Sequence, residues 1–230
     1  MTVQRREAST RPDRDMAQIE RLFRLDGEDA AELVLVRHAQ PECDRAVGRA
    51  PLSESGCLQA EQLAATLCWR QVEAVYTAPE LVALQTAEPL CRAIDREMVV
   101  VPDLHEIEAQ PYLDEGEIDR CFEMDLAERF NRRPRWDSLP GFETSRCFRS
   151  RAIQALEAIV AQHSARRVVV VGHATAINAY ISMVLDVQRD VVFMPDYASM
   201  SIVRSARDQY SVRALNETGH LRETAAVFSH

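Results

Sequence analysis

The sequence contains no lysine, because all 27 basic residues of the 230-residue chain are arginines. A P-loop needs a lysine on the bound phosphates, and pyridoxal or Schiff-base enzymes need a lysine amine. The absence of lysine excludes these classes of enzyme. With only 7 glycines and 10 prolines, the sequence also predicts no long flexible linker.

Paired cysteines and long apolar runs are also missing. The 6 cysteines form no C-x-x-C pair, which a zinc ribbon or a thioredoxin-like site would need. The longest β-branched run, 168–171, is far shorter than the ~18 apolar residues of a membrane-spanning helix, and no apolar run of signal-peptide length is visible. The sequence therefore predicts reduced thiols, no membrane partner and a cytoplasmic location.

Acidic residues outnumber basic ones, which gives a formal net charge of −9. A dedicated nucleic-acid binder relies on a cationic surface that neutralises phosphates, so we expect no nucleic-acid partner. The apolar content of 47% and the charged content of 27% are typical of a soluble globular protein. The length fits one domain, or one domain with an inserted cap.

Short apolar strands alternate with longer amphipathic segments along most of the chain. The pattern predicts strands at 32–36, 74–76, 98–101 and 167–171, helices at 54–69, 79–94, 141–163 and 174–185, and a terminal strand pair at 199–203 and 210–215. This alternation predicts an α/β fold, a three-layer αβα sandwich with a largely parallel central sheet.

Two regions do not follow the alternation. Residues 1–30 are predicted to form a polar N-terminal arm with a short helix, ahead of a domain that spans 31–230. The charged stretch at about 103–140 is too long for a structureless loop, so we expect a small inserted helical cap there.

Two histidines occupy matching positions at the ends of predicted parallel strands. His38 follows an apolar strand and Arg37, and His173 follows another apolar strand and Gly172. In open parallel sheets, ligands bind outside the carboxyl ends of strands, where backbone N–H groups face an anion. Two imidazoles and one arginine that converge there predict a phosphate pocket.

Several short motifs occur in a fixed order around these histidines. They are Arg37-His38-Ala39, Pro51-Leu-Ser-Glu-Ser-Gly56 followed by Gln59-Ala60, Gln85-Thr-Ala-Glu-Pro-Leu90, Leu104-His105-Glu106 and Gly172-His173-Ala174. In this order, from Leu33 to about Leu221, the chain resembles the histidine phosphatase superfamily, the phosphoglycerate-mutase-like proteins.

The resemblance implies a role for each matching residue. His38 corresponds to the nucleophile that accepts the phosphoryl group, and Arg37 and His173 correspond to ligands of its oxygens. Glu106 matches the acid that protonates the leaving oxygen, with Glu108 as a rival. Neutral imidazole is nucleophilic near pH 7 and guanidinium binds phosphate in a bidentate manner, so the chemistry agrees with these roles. No cofactor and no metal site are implied.

The stretch 77–87 departs from the resemblance. The family pattern is Ser-x-Pro-Leu-x-Arg-Ala-x-x-Thr-Ala, and Val82 stands here at the position of its phosphate-binding arginine. Such a loss costs about 1.5–3 kcal/mol of phosphate binding and slows turnover by ~10²- to 10³-fold. Arg49, or Arg45, is a candidate substitute, the alternative being that both are solvated charges. Thr77 and Gly172 are further candidates for substrate binding.

Three functions remain open. The first is a metal-independent phosphatase that hydrolyses a small phosphorylated metabolite through a phosphohistidine. The second is a phosphoglycerate-mutase-type enzyme, which the acidic composition between Glu106 and Asp119 disfavours, because a mutase holds an acid phosphate with extra basic groups. The third is a catalytically weakened protein that binds a phospho-ligand, favoured by Val82 and Thr77. The oligomeric state is also open, with a homodimer as one alternative.

Overall fold

The computed structural model describes residues 30–43, 50–107, 128–138, 143–206 and 209–221. In these ranges the strands are β1 (Ala31–Arg37), β2 (Val72–Thr77), β3 (Met98–Val100), β4 (Arg167–Gly172), β5 (Met200–Ala206) and β6 (Gln209–Glu217). The long helices are α1 (Glu54–Leu67), α2 (Leu81–Ile94), α3 (Ser145–Gln162) and α4 (Ala174–Val184). The predicted α/β alternation is confirmed.

The strands form one sheet in the order β3-β2-β4-β1-β5-β6. The four strands from β3 to β1 are parallel, whereas β5 runs antiparallel to β1 and β6 antiparallel to β5. The largely parallel sheet is therefore confirmed, with the terminal strand pair as its antiparallel edge.

The core lies on both faces of the two central strands, β1 and β4. Every side chain at 33–36 and 168–171 is apolar and at most 3% exposed. Successive side chains of a strand point to opposite faces, so both faces of the sheet are covered, as a three-layer sandwich requires. Helix α1 packs against α2, and α3 packs against α4.

Side-chain hydrogen bonds cap the N-termini of α1 and α3. The Ser53 hydroxyl accepts a hydrogen bond from the Gly56 amide at 3.0 Å and caps α1, and Thr144 caps α3 in the same way. Such a cap stabilises a helix by roughly 1 kcal/mol. The prediction that α2 begins at Pro79 is wrong, because the helix begins at Leu81 and Glu80 takes the cap position without capping it.

The loop after β1 packs tightly against the start of α1. A Cβ atom on Gly56 would lie 2.1 Å from the Gln40 carbonyl oxygen, so only glycine permits this approach. The Gln40 amide donates to Gln59 Oε1, and the Ala39 amide donates to Thr86 Oγ1, both at 2.9 Å. Gln59 and Thr86, which belong to two further motifs, therefore fix the backbone of the two residues that follow His38.

Two sequence predictions lie largely outside the described residues. Of the N-terminal arm predicted at 1–30, residues 1–29 are not described, and neither is most of the cap, at 108–127 and 139–140. Within the predicted cap, residues 128–132 are helical, and Pro102–Leu104 and Trp136–Ser138 form short 3₁₀ helices. The arm and the cap as a whole stay predictions.

The described ranges contain no helix long and apolar enough to cross a membrane. The cysteines in these ranges, at positions 43, 57, 68, 91 and 147, are free thiols. Cys121 lies outside them.

Candidate active site

The carboxyl ends of β1 and β4 bring the two histidines of the sequence motifs together. The strands pair in parallel register with Arg37 opposite Gly172, so His38 and His173 leave neighbouring strand ends. The ring centroids lie 5.1 Å apart with the ring planes inclined by 61°. Both residues are buried, with 2% of His38 and none of His173 exposed.

Hydrogen bonding determines which nitrogen of His38 can react. Its Nδ1 lies 2.9 Å from the Ala39 carbonyl oxygen, and because a carbonyl only accepts, Nδ1 carries the proton. In the neutral ring, Nε2 therefore keeps its lone pair. Burial, followed by the nearby His173 and Arg37, lowers the pKa of His38 to about 4, so the ring is neutral at pH 7.

The lowered pKa of His38 predicts a loss of stability in acid. In the unfolded chain, His38 takes up a proton near its ordinary pKa of 6.5, whereas in the folded protein it does so only near pH 4. The contribution to stability is therefore complete above pH 6.5 and is lost as the pH falls toward 4. Between pH 8 and pH 5 the expected loss is about 2 kcal/mol.

Urea unfolding of the wild type and a His38→Gln variant at both pH values measures this contribution. The wild type should lose about 2 kcal/mol more than the variant, because glutamine does not titrate. Equal losses in the two proteins would contradict a neutral, buried His38.

Arg37 lies beside His38 on an aromatic ring. Its guanidinium carbon is 3.9 Å from the centroid of the Tyr197 ring, and the same ring is 5.5 Å from that of His38. One terminal nitrogen donates to the Pro195 carbonyl at 2.7 Å. The buried Nε has no hydrogen-bond partner in the described part of the chain, which leaves a charged donor for an anion.

His173 lies between two carboxylates at the N-terminus of α4. Its Nε2 is 2.8 Å from Glu80 Oε2 and its Nδ1 is 3.4 Å from Glu106 Oε2. Burial alone would lower the pKa of His173, but the hydrogen bond to Glu80 and the charges of both carboxylates raise it. Burial likewise opposes ionisation of Glu80, yet His173 lowers its pKa below the ordinary value. Both shifts favour the charged forms of the pair, an imidazolium on His173 and a carboxylate on Glu80.

Glu106 is held by its neighbours and remains partly open to solvent. Its Oε1 accepts hydrogen bonds from the Ile107 amide at 2.7 Å and from the Thr175 hydroxyl. The backbone is fixed by Arg151, which donates to the Glu106 carbonyl at 3.2 Å. The side chain is 32% exposed. A carboxyl that is held in place and reaches solvent can exchange protons with a bound molecule.

The other predicted substrate-binding residues lie at strand ends or outside the described ranges. The Gly172 carbonyl accepts a hydrogen bond from the His38 amide at 2.8 Å, which is a backbone contact. Thr77 is buried at the end of β2, and its hydroxyl donates to the Ala78 carbonyl at 3.0 Å. Neither contact involves the two imidazole rings. Arg45, Arg49 and the rival acid Glu108 lie outside the described residues, so their roles stay predictions.

Val82 is buried away from solvent in a small apolar cluster. The cluster consists of Ala39, Leu52, Ala60, Val82 and Ala198, with Leu221 packed against it. Val82, which stands at the position of the family's arginine, therefore packs beside Ala39, the residue that follows His38. In the described ranges, no group of three or more His, Cys, Asp or Glu side chains is placed to hold a metal ion.

Sequence reasoning missed Glu80 and Tyr197. The sequence carries a signal for Glu80, because the family pattern has leucine at this place. Its contact with His173 joins residues 93 positions apart and could not be read from local patterns. Tyr197 lies just before β5 and carries no motif that marks it.

The chain belongs to the histidine phosphatase superfamily (branch 1), whose family model matches residues 33–218. Among curated proteins, it is 30% identical over 207 residues to the Bifunctional protein Rv2228c of Mycobacterium tuberculosis. The match covers 82% of this chain and 54% of that relative, so the chain spans about half of the relative's length.

Solved structures share the fold at lower sequence identity. Mycobacterial glucosyl-3-phosphoglycerate phosphatase Rv2419c superimposes with a TM-score of 0.71 at 19% identity, covering 82% of this chain and 100% of that one. Bacillus stearothermophilus YhfR gives a TM-score of 0.72 at 22% identity, covering 83% and 99%. The alpha-ribazole phosphatase of Shigella flexneri gives 0.68 at 17% identity, covering 81% and 96%.

Proposed function

We propose that the protein is a metal-independent phosphatase that hydrolyses a small phosphomonoester through a phosphohistidine on His38. The observation that carries this proposal is the neutral His38 ring, with a free Nε2 lone pair, 5.1 Å from the ring of His173. A nucleophile and cationic donors around one phosphoryl group are what phosphoryl transfer needs from a protein. The phosphatase names of two structural relatives support this reaction class.

The first chemical step transfers the phosphoryl group to the enzyme. The lone pair of His38 Nε2 attacks phosphorus, a P–N bond forms, and the P–O bond to the leaving alcohol breaks. Glu106 gives its proton to the departing oxygen, while Arg37 and His173 donate to the phosphoryl oxygens.

The second step returns the enzyme to its starting state. Water attacks phosphorus in line with the P–N bond, and Glu106, now a carboxylate, accepts the proton. The P–N bond breaks, its electron pair returns to Nε2, and phosphate leaves. Both steps use the same Glu106 side chain in opposite protonation states.

Phosphate release from p-nitrophenyl phosphate and a panel of sugar and nucleoside monophosphates tests the proposal. We expect turnover that changes less than about twofold on addition of EDTA, because the nucleophile is an imidazole rather than a metal-bound water. Isomerisation of 3-phosphoglycerate is measured in the same samples.

Isomerisation that exceeds phosphate release would identify a mutase instead. Loss of activity in EDTA that added metal restores would contradict the metal-independent mechanism. If no ester is hydrolysed while inorganic phosphate still binds, the phosphatase proposal fails and the phospho-ligand binding function replaces it.

A further inference from the structure

Glu80 places a largely buried carboxylate on the second imidazole of the site. We propose that Glu80 is a positioning residue that keeps His173 a charged donor, with its Nδ1–H directed at the phosphoryl group. The family pattern has leucine at this place, so the contact is not part of that pattern. This inference rests on the proposed function, since it concerns the same anion site.

The hydrogen bonds of His173 determine which of its nitrogens can meet an anion. Nε2 lies 2.8 Å from Glu80 Oε2, and because an ionised carboxylate only accepts, Nε2 carries a proton. Nδ1 is buried and has no hydrogen-bond partner among the described residues. It lies 3.4 Å from Glu106 Oε2, on the side of the ring that faces the proposed general acid. A phosphoryl oxygen can therefore bind at Nδ1 while Glu80 keeps its bond to Nε2.

The ring of His173 needs a charged partner because its surroundings are dry. The residue is fully buried, and it borders a small cavity whose other walls include Leu104 and Ile177. Burial alone would lower the pKa of His173, but the hydrogen bond to Glu80, followed by the charges of Glu106 and Glu80, raises it above the ordinary value. Nδ1 is therefore a charge-assisted donor, which binds an anion more strongly than a neutral one does.

Several parts of the fold bring charged or titratable groups to this ring. They are Arg37 and His38 at the end of β1, Glu80 before α2, Glu106 after β3, and Arg151 on α3, which contacts the Glu106 carbonyl. Arg37 opposes the charge on His173, and the two carboxylates favour it. Without Glu80, one carboxylate remains against burial and a nearby cation, so the ring should lose its proton at a lower pH.

Both oxygens of Glu80 are used. Oε2 bonds His173, and Oε1 accepts from the Glu106 amide at 2.9 Å. One side chain therefore fixes the imidazole and the backbone of the proposed acid together. Glutamine has a single oxygen, so Glu80→Gln cannot accept from the amide and from Nε2 at once. Whichever contact it keeps, His173 loses its negatively charged partner.

The proposal gives a pH dependence with a defined sign. A histidine whose pKa is raised by a partner is charged below that pKa and neutral above it. Anion binding by the wild type should therefore persist to a higher pH than anion binding by variants without Glu80. Sulfate is the probe, because its charge, unlike that of phosphate, does not change between pH 5.5 and pH 8.

Calorimetric titration with sulfate at pH 5.5 and pH 8 tests the inference on the full chain. Over this range we expect the dissociation constants of Glu80→Gln and Glu80→Leu to rise by at least about tenfold more than that of the wild type, the scale of one hydrogen bond to a charged group. Glu88→Gln removes a charge from the exposed face of α2, where the Glu88 side chain is 65% exposed, and should behave as the wild type.

A titration of the ring itself separates this role from a purely structural one. Imidazole ¹⁵N resonances give the pKa of His173 in each protein, with the signal assigned by its absence in His173→Gln. We expect a lower pKa of His173 in both Glu80 variants and no change in Glu88→Gln. An unchanged pKa in a folded Glu80 variant, or a sulfate affinity that depends on pH as in the wild type, overturns the inference. Thermal unfolding shows which variants are folded, and the glutamine variant serves if the leucine variant is not.

Neither measurement needs turnover, so the two proposals can fail separately. A lower pKa of His173 and a steeper loss of sulfate binding, with no ester hydrolysis by any of the proteins, would sink the phosphatase and keep the positioning role. An active wild type whose Glu80 variants keep the pKa and the pH dependence would sink the positioning role and keep the phosphatase.

Discussion

A His38→Ala variant is expected to lose phosphatase activity by roughly 10⁴-fold or more, the scale on which covalent hydrolases respond to loss of the nucleophile. The reason is that, within the described residues, the second imidazole of the site cannot take its place. The second imidazole, His173, has both nitrogens turned toward carboxylates at 2.8 and 3.4 Å. The rate constant for phosphate release from p-nitrophenyl phosphate measures the loss.

The stability of the variant is a separate question, since alanine leaves a cavity at a buried position. His38→Gln keeps most of the volume and should be as inactive as His38→Ala. His163→Gln is the matched control, because His163 bonds the Tyr76 hydroxyl at 2.8 Å rather than either active-site ring. Activity within tenfold of the wild type in both folded His38 variants would show that His38 is not the nucleophile.

A Glu106→Gln variant is expected to slow the reaction by roughly 10²- to 10⁴-fold, as loss of a general acid does in other enzymes. Glutamine has the same shape and can still accept at its oxygen from Ile107 and Thr175, so the local structure should persist. It cannot deliver a proton to the leaving oxygen or accept one from water. The loss should therefore appear mainly in kcat rather than in KM.

A comparison of two leaving groups tests whether Glu106 acts as the general acid. Nitrophenolate departs readily without a proton, whereas the alkoxide of an alkyl phosphate needs one. Formation of the phosphoenzyme should therefore be slowed much more for an alkyl phosphate than for p-nitrophenyl phosphate. Asp103→Asn, on the neighbouring exposed turn, is the control and should leave both rates unchanged. An equal loss with both substrates would contradict the role of Glu106 as general acid.

The parts of the site that lie at strand ends could be predicted from the sequence. The apolar runs before Arg37 and Gly172 indicate buried parallel strands, and side chains that follow such strands meet at one edge of the sheet. The structure pairs these strands in register and brings His38 and His173 together. This success rests on a general property of parallel sheets.

The contacts that tune the site could not be predicted in the same way. The predicted helix over 79–94 includes Glu80 in its first turn, yet Glu80 precedes the helix and bonds His173. Which direction a side chain takes at a helix start depends on tertiary partners. The stacking of Arg37 on Tyr197 is likewise a contact between loops distant in sequence, which no local periodicity encodes.

Val82 shows a third limit of prediction from the sequence. The sequence identified the departure from the family pattern but not how the fold accommodates the valine. The structure surrounds this position with small apolar residues, so the replacement by valine is accommodated as packing. Placing an arginine back at position 82 would bury a charge there unless its side chain reached the anion site.

The direct test of the central claim is to trap the covalent intermediate. Wild-type protein is mixed with a radiolabelled phosphomonoester, quenched within one turnover and digested, and the labelled peptide is sequenced. The account predicts one acid-labile, base-stable label on the peptide that contains His38, and none in the His38→Gln variant. An acid-stable label, a label on another residue, or turnover without any labelled protein would contradict it.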